Sequence, residues 1–291
     1  MKKYYKKIKH LLEYIIFIVT LKLLKIFGID RSADFCSALA RYIGPLLAVT
    51  KVAKKNLSTV FGSHINQKYI INKLWDNFGR FIGEFPYLND ISEEEISKRV
   101  EIIGLEYLAD FQRLHQPFLL FTGHFANWDF ALKITNRLYN KFGIVYRKAN
   151  NPYIDKIINN SRSNDNLHLI VKGPKGGKHL IKAIKTGCAI AMLVDQKMND
   201  GIEVPFFSRP AMTPHAIAKF ALQFHYPIVP CQIVRTQGSY FKVIIHEPLK
   251  FQRTKDDKLD CYNIMLTINQ TLESWIREHP EQWLWFHNRW K

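Results

Sequence analysis

The residues with the clearest capacity for chemistry are Gly123-His124-Phe125-Ala126-Asn127-Trp128-Asp129, which follow a short apolar run, Phe118-Leu119-Leu120-Phe121. A strand end, a glycine hinge and His-x-x-x-x-Asp put an imidazole and a carboxylate where a turn enters a helix, close enough to hydrogen-bond. A carboxylate on one ring nitrogen keeps that nitrogen protonated, leaves the other free to take a proton, and stabilises the imidazolium that results. The group such a base would activate is a hydroxyl. No Gly-x-Ser-x-Gly elbow occurs and no cysteine neighbours the segment, so direct transfer between two bound substrates is expected rather than a stored acyl-enzyme. The plainer alternative is a core histidine followed by a helix-starting aspartate, and spacing by itself does not separate the two.

Such a pair needs a scaffold to present it. Beyond Glu101 short apolar runs alternate with amphipathic helices, at 118–121, 143–146, 168–171, 189–194, 228–233 and 241–245. This predicts an α/β class, a mixed sheet flanked by helices. Ligands in such sheets gather beyond the carboxyl ends of strands, where His124, Arg147 and Asp195 all fall. Arg147 closes Ile144-Val145-Tyr146, and its planar guanidinium suits phosphate or a developing oxyanion; the other reading is a solvated charge. Asp195 closes Ala189 to Val194 and either touches substrate or pairs with Arg147 to fix its angle. Gly173-Pro174-Lys175-Gly176-Gly177-Lys178 lacks the Gly-Lys-Ser/Thr ending of a phosphate loop and reads as a turn before a helix. Downstream, Thr213-Pro214 opens a helix over 216–224, and the aromatics of Val204-Pro205-Phe206-Phe207 either line an acyl chain or fill the core.

Lys2, Lys3, Lys6, Lys7 and Lys9 precede an apolar segment over 11–27 in which Leu12, Ile15, Ile16, Val19, Leu23 and Ile26 share one helical face. That pattern suits a helix lying in the headgroup region over anionic lipid, with a spanning helix as the competitor and a cleaved signal peptide third. From Asp30 to Leu88 the periodicity is helical. The chain therefore divides into a membrane-associated helix at 1–28, a helical cap at 29–98 and an α/β catalytic region at 99–291. Forty-two Lys plus Arg against 25 Asp plus Glu leave +17, a surplus that attracts something anionic. A basic nucleic-acid-binding protein is one reading of that charge, but no recognised binding motif accompanies it. Cys36, Cys188, Cys231 and Cys261 form no Cys-x-x-Cys pair and suit reduced, buried thiols rather than a zinc site or disulfide framework. Four of the six tryptophans, Trp275, Trp283, Trp285 and Trp290, crowd the last residues, an aromatic tail that either docks on the sheet or sits at a lipid boundary.

Taken together, these segments resemble the bacterial lipid A biosynthesis acyltransferases, the late lauroyl or myristoyl transferases, across nearly the whole chain. The resemblance rests on the basic N-terminus with its apolar helix, Lys54-Lys55-Asn56-Leu57, Gly123 to Asp129, Tyr146-Arg147 with Asn151-Pro152, Asp195-Gln196-Lys197, Val204 to Phe207, and above all Pro280-Glu281-Gln282-Trp283 with Trp285 to Trp290. Many members carry glutamate where Asp129 stands and glycine where Ala126 stands. The resemblance implies a glycerolipid-acyltransferase-like sandwich and transfer of a fatty acyl group from acyl carrier protein to a hydroxyl of a phosphorylated Kdo-lipid A precursor. The catalytic region would face the cytoplasm, with inner membrane lipids as neighbours, no metal or other cofactor, and no nucleic acid partner. It implies His124 as base, Asp129 as its orienting acid, Asn127 or backbone N–H groups as oxyanion donors, and Arg147 as the phosphate or phosphopantetheine contact. A glycerolipid acyltransferase shares the His-x-x-x-x-Asp pair and is the alternative enzyme, without the expectation of this tryptophan-rich ending.

Overall fold

Period-two alternation builds the sheet. Leu119 and Phe121 pack to one side of their strand while Phe118 and Leu120 pack to the other, and all four are buried. A strand apolar on both faces must be covered by helices on both, which is why these runs lack polar alternation.

The computed structural model describes residues 2–162 and 166–290, apart from the side chains at 2, 3, 136, 174 and 175, so the Lys2, Lys3 and Lys175 charges lie outside the described residues. The elements run α1 Lys2–Lys25, α2 Ile29–Ile43, α3 Ala48–Phe61, α4 Gln67–Glu84, α5 Glu93–Arg99, β1 Val100–Ile103, α6 Glu106–Arg113, β2 Leu119–Thr122, α7 Trp128–Ala131, α8 Thr135–Leu138 and β3 Phe142–Tyr146. They continue with α9 Pro152–Arg162, β4 Leu167–Val171, α10 Pro174–Lys185, β5 Ala189–Leu193, β6 Ile202–Phe206, β7 Arg209–Thr213, α11 Ala216–Phe224, β8 Ile228–Gln237, β9 Tyr240–Ile245 and α12 Asp257–Glu278. Seven strands form one sheet in the order β1-β9-β8-β2-β5-β3-β4, and β6 with β7 forms a separate hairpin. Every neighbouring pair in the large sheet is parallel except β8 and β9. The mixed α/β sheet flanked by helices is therefore the observed class.

One face of the sheet carries Leu119, Phe121, Ile190 and Met192 against α3, α4, α10, α11, α12 and the tryptophan tail. The other carries Leu120, Ala189, Val229 and Ile233 against α5, α6 and α7. α2 and α4 approach closely through glycine: a Cβ at Gly83 would stand 2.4 Å from the Ser32 carbonyl oxygen, and one at Gly79 would stand 2.5 Å from that of Cys36. Local caps fix several helix starts, with Asn66 accepting from Tyr69 N at 3.0 Å and Ser92 from Glu95 N at 3.2 Å.

α1 lies along the molecule rather than apart from it. The Asn151 amide donates to His10 O at 2.7 Å and to Glu13 Oε2 at 2.9 Å; Tyr14 meets Tyr153, Phe17 meets Phe85, and Tyr87 Oη donates to Leu24 O at 2.7 Å. Asn151 also accepts from Tyr153 N at the start of α9, so the Asn-Pro pair joins the first helix to the α/β region. No single helix among the described residues is long and apolar enough to cross a membrane, and the stretch from Ile29 through Phe61 qualifies only as a pair bent by 82°. All four cysteines are free and buried, and burial pushes the Cys231 thiol up to about 12.

Candidate active site

Strand register decides which groups meet. β2 and β5 are parallel neighbours with Thr122 opposite Leu193, so His124 and Asp195, each two residues further on, emerge side by side. The Asp195 carboxylate binds the His124 loop twice: Oδ1 takes His124 Nδ1 at 2.7 Å and Oδ2 takes His124 N at 2.7 Å. A third donor, Trp283 Nε1, reaches Oδ2 at 2.7 Å. Gly123 permits this approach, since a Cβ there would fall 2.7 Å from the Phe125 ring and 3.2 Å from Asp195 Oδ2. Asp195 is 0% exposed. Burial opposes its ionisation, but the His124 charge and hydrogen bonds, with the nearby His287, outweigh that and hold the carboxyl well below its usual range. A carboxylate on Nδ1 fixes the tautomer with its proton there, which leaves the Nε2 lone pair facing outward. The imidazole is 15% exposed, lies T-shaped to Trp128 at 4.9 Å, and has Gln196 Nε2 3.4 Å from its Nε2.

The carboxylate that orients His124 is thus Asp195 and not Asp129, which corrects the pairing inferred from sequence spacing. Asp129 lies in the first turn of α7, where its two oxygens take Arg162 Nε and Nη2 at 2.9 Å each. A bidentate guanidinium satisfies a nearly buried carboxylate and leaves it engaged away from the ring. Lys133 also faces Asp129, and burial lowers its pKa against the pull of that carboxylate and of Asp90.

Asn127 is a second correction. It is 0% exposed, its oxygen caps α7 by accepting from Phe130 N at 2.9 Å, and its amide donates to Glu84 Oε2 at 2.6 Å. Glu84 is the hub of a buried network: Arg235 pairs with it, Ser239 Oγ donates to it at 2.8 Å, and Arg235 Nε reaches Asn77 Oδ1 at 2.8 Å. Asn127 therefore anchors the His124 loop to the core: its oxygen and one amide N–H are engaged, and full burial keeps the group away from the surface on which the imidazole opens. Arg147, at the end of β3, is exposed and makes no ion pair among the described residues, so Asp195 is not its partner.

The tail completes the site from the far end of the chain. Phe125 and Trp283 form an antiparallel bridge, Ala126 N donates to Gln282 O at 3.1 Å, and Leu284 N donates to His124 O at 3.0 Å. Gln282 in turn is clamped by Arg235 N and O. Asn56, from Lys54-Lys55-Asn56-Leu57, donates to Trp285 O at 2.9 Å and His287 O at 2.7 Å. The tail docks on the protein, and Phe206 and Phe207 are core: Trp290 Nε1 donates to Phe206 O, and the Arg289 guanidinium lies 4.8 Å over the Phe206 ring with its pKa pushed down to about 10 by burial. At Ala126 the backbone takes φ 45°, the left-handed region in which alanine is disfavoured by roughly 1 kcal/mol and glycine is not.

Arg162, Gln196 and Trp283 are the site residues that sequence reasoning did not single out. Gln196 adjoins Asp195 and Trp283 lies in the aromatic tail, both visible signals; Arg162, at the end of α9, offers none.

The sequence model of the bacterial lipid A biosynthesis acyltransferase family matches residues 1–291. The Escherichia coli K12 lipid A biosynthesis lauroyltransferase is 24% identical over 249 residues, covering 83% of this chain and 78% of its own length. The palmitoleoyltransferase of the same organism is 21% identical over 246 residues, covering 82% and 78%. The crystal structure of the 1-acyl-sn-glycerophosphate acyltransferase PlsC from Thermotoga maritima aligns with 80% of this chain and 98% of its own at 14% identity, with a TM-score of 0.37.

Proposed function

This chain belongs to the bacterial lipid A biosynthesis acyltransferase family, and from that premise we propose that it moves a fatty acyl group from acyl carrier protein to a hydroxyl of a Kdo-lipid A precursor at the inner membrane. The observation that carries the chemistry is the imidazole at the end of β2, with Nδ1 held by a buried carboxylate at 2.7 Å and Nε2 turned outward. In this reading His124 takes the proton of the acceptor hydroxyl as the oxygen attacks the donor thioester, then returns it to the leaving thiol. Asp195 stabilises the imidazolium in between. Asp129 serves the site by fixing the Arg162 guanidinium, and exposed Arg147 takes an acceptor phosphate or the donor's phosphopantetheine. The +17 surplus favours approach of both an acidic carrier protein and a phosphorylated glycolipid.

In the same reading α1 lies flat on the membrane. Contacts from His10 to Lys25 hold it against α9 and the 85–90 turn, so these residues are not available for lipid on all sides, as a spanning helix requires. Its outer face exposes Leu12, Ile16 and Leu23 by 56%, 67% and 55%, Ile26 just beyond it is exposed too, and further exposed apolar side chains follow at Phe35, Leu39, Tyr42 and Leu46 of α2 and the following turn. Lys6, Lys7 and Lys9 stand at one end of that face, where anionic headgroups would meet them.

The test is purified protein supplied with acyl carrier protein thioester and, side by side, a Kdo-lipid A precursor and a lysophospholipid. The expected product is the precursor bearing one more acyl ester, absent with His124→Ala. Acylation of the lysophospholipid alone would replace this reading with the glycerolipid one.

A further inference from the structure

We infer that Gln196 is a catalytic residue of this reaction, its side-chain amide donating to the oxyanion that forms on the attacked thioester carbonyl; the inference rests on the proposed role of His124 as base. Four donors of the loop that carries His124 are already engaged. His124 N is on Asp195 at 2.7 Å, Phe125 N on Gly123 O at 2.9 Å, Ala126 N on Gln282 O at 3.1 Å, and the Asn127 amide on Glu84 at 2.6 Å. Those four are taken, and a donor from another segment already stands beside the ring.

Gln196 supplies one. Its side chain is half-buried, and its Nε2 lies 3.4 Å from His124 Nε2. With Nδ1–H given to Asp195, the facing ring nitrogen carries a lone pair, so the end of the amide set against it is the NH2 and not the oxygen. That nitrogen has two N–H bonds. One addresses the imidazole, and the other remains for an oxygen on the carbon that the deprotonated hydroxyl attacks, within the roughly 3 Å an oxyanion donor requires. Asp195 and Gln196 are consecutive, so one strand end grips the ring from both of its nitrogens.

The incoming hydroxyl first displaces the long Gln196 N–H contact from Nε2; its oxygen then forms the new C–O bond with a lone pair while its proton passes to His124 Nε2, and the carbonyl π pair moves onto oxygen, where Gln196 holds it. The pair then returns, the C–S bond breaks, and the leaving thiolate takes the proton from His124. Ester and free thiol result, with both residues restored.

Gln196→Ala and Gln196→Glu are tested with an acyl thioester donor, following transfer to the acceptor and the slow hydrolysis of the donor alone. Loss of an oxyanion donor is expected to lower kcat for both reactions about 100-fold in Gln196→Ala, with KM for the acceptor unchanged. Gln196→Glu, of the same size, sets a negative charge beside Nε2 and the forming oxyanion. It is expected to be slower still, and to move the acidic limb of the pH profile upward by stabilising the imidazolium. Wild-type kcat in Gln196→Ala overturns the inference, as does a fall in transfer with hydrolysis intact, which would make Gln196 an acceptor contact. His124→Ala, assayed alongside, isolates the premise: normal turnover there removes the base whatever Gln196 does.

Discussion

Replacing Asp195 with asparagine tests the site most directly, because the structure specifies how the amide would lie. The carboxylate receives three N–H donors, two on Oδ2 from His124 N and Trp283 Nε1 and one on Oδ1 from the imidazole. An asparagine NH2 placed at Oδ2 would face two donors, and unpaired buried donors are penalised by about 1–3 kcal/mol each. Placed at Oδ1 it faces only the ring, which can answer by moving its proton to Nε2 and accepting at Nδ1. The second arrangement wins, and it retains every hydrogen bond in weaker neutral form. Asp195→Asn is therefore expected to fold with a loss of about 1–3 kcal/mol. Its imidazole, however, is locked in the tautomer that cannot take a proton from a substrate, and kcat is expected to fall on the order of 10⁴-fold with little change in KM. Acyl-transfer kinetics measure the fall, urea unfolding the stability, and nitrogen-15 NMR of the ring the tautomer. A kcat within tenfold of the parent, or an unchanged tautomer, would refute the reasoning.

Breaking the Asp129–Arg162 pair by Asp129→Ala strands a guanidinium that is 18% exposed and is expected to lower stability by about 3 kcal/mol; the Asp129→Ala/Arg162→Ala double variant should lose less than the sum in denaturant titrations. Stability should decline with acid in two stages. Burial lowers the pKa of His287, His215 and His246, so the unfolded rings protonate first and the contribution present above about pH 6.5 is lost below it, less so in His287→Phe. The depressed Asp195 pKa contributes stability above about pH 4 that disappears as pH falls through its folded value, and urea midpoints from pH 8 to 3 read the first stage and the onset of the second. On α1, Ile16→Glu removes an exposed apolar side chain worth about 1.5 kcal/mol or more of lipid contact. Flotation with anionic vesicles should show binding weakened about tenfold or more, with no change in melting temperature; undiminished binding would place the lipid surface elsewhere.

Much of the sheet was legible because its strands are buried on both faces: the runs at 118–121, 143–146, 189–194 and 241–245 all fall on observed strands to within a residue or two. β1 escaped because Val100-Glu101-Ile102-Ile103 is an edge strand with one charged residue in a short run. β7 escaped because Thr213-Pro214 reads as a helix start, whereas Thr213 closes the second strand of a hairpin in which Pro210 sits opposite Pro205, where neither needs an amide hydrogen. The site was legible as a set of residues and illegible as a set of bonds. His124, Arg147 and Asp195 do stand at strand ends, but which carboxylate meets the imidazole depends on β2 and β5 lying adjacent and in register.

That dependence explains why Asp195, rather than Asp129, meets the imidazole. Asp129 is near His124 in sequence, but it lies in the first turn of α7, which begins at Trp128, whereas Asp195 reaches the ring across one strand spacing. The same logic accounts for the tail. Trp283 is 88 residues from Asp195, and no periodicity announces the contact, but a fully buried carboxylate needs more donors than one imidazole provides. The backbone bridge from Phe125 to Trp283 brings the indole N–H to the free side of that carboxylate, while Gln282 and Asn56 hold the tail in place. The tryptophan-rich ending thus supplies, through the Trp283 indole, one of the three donors on the carboxylate that holds the His124 imidazole.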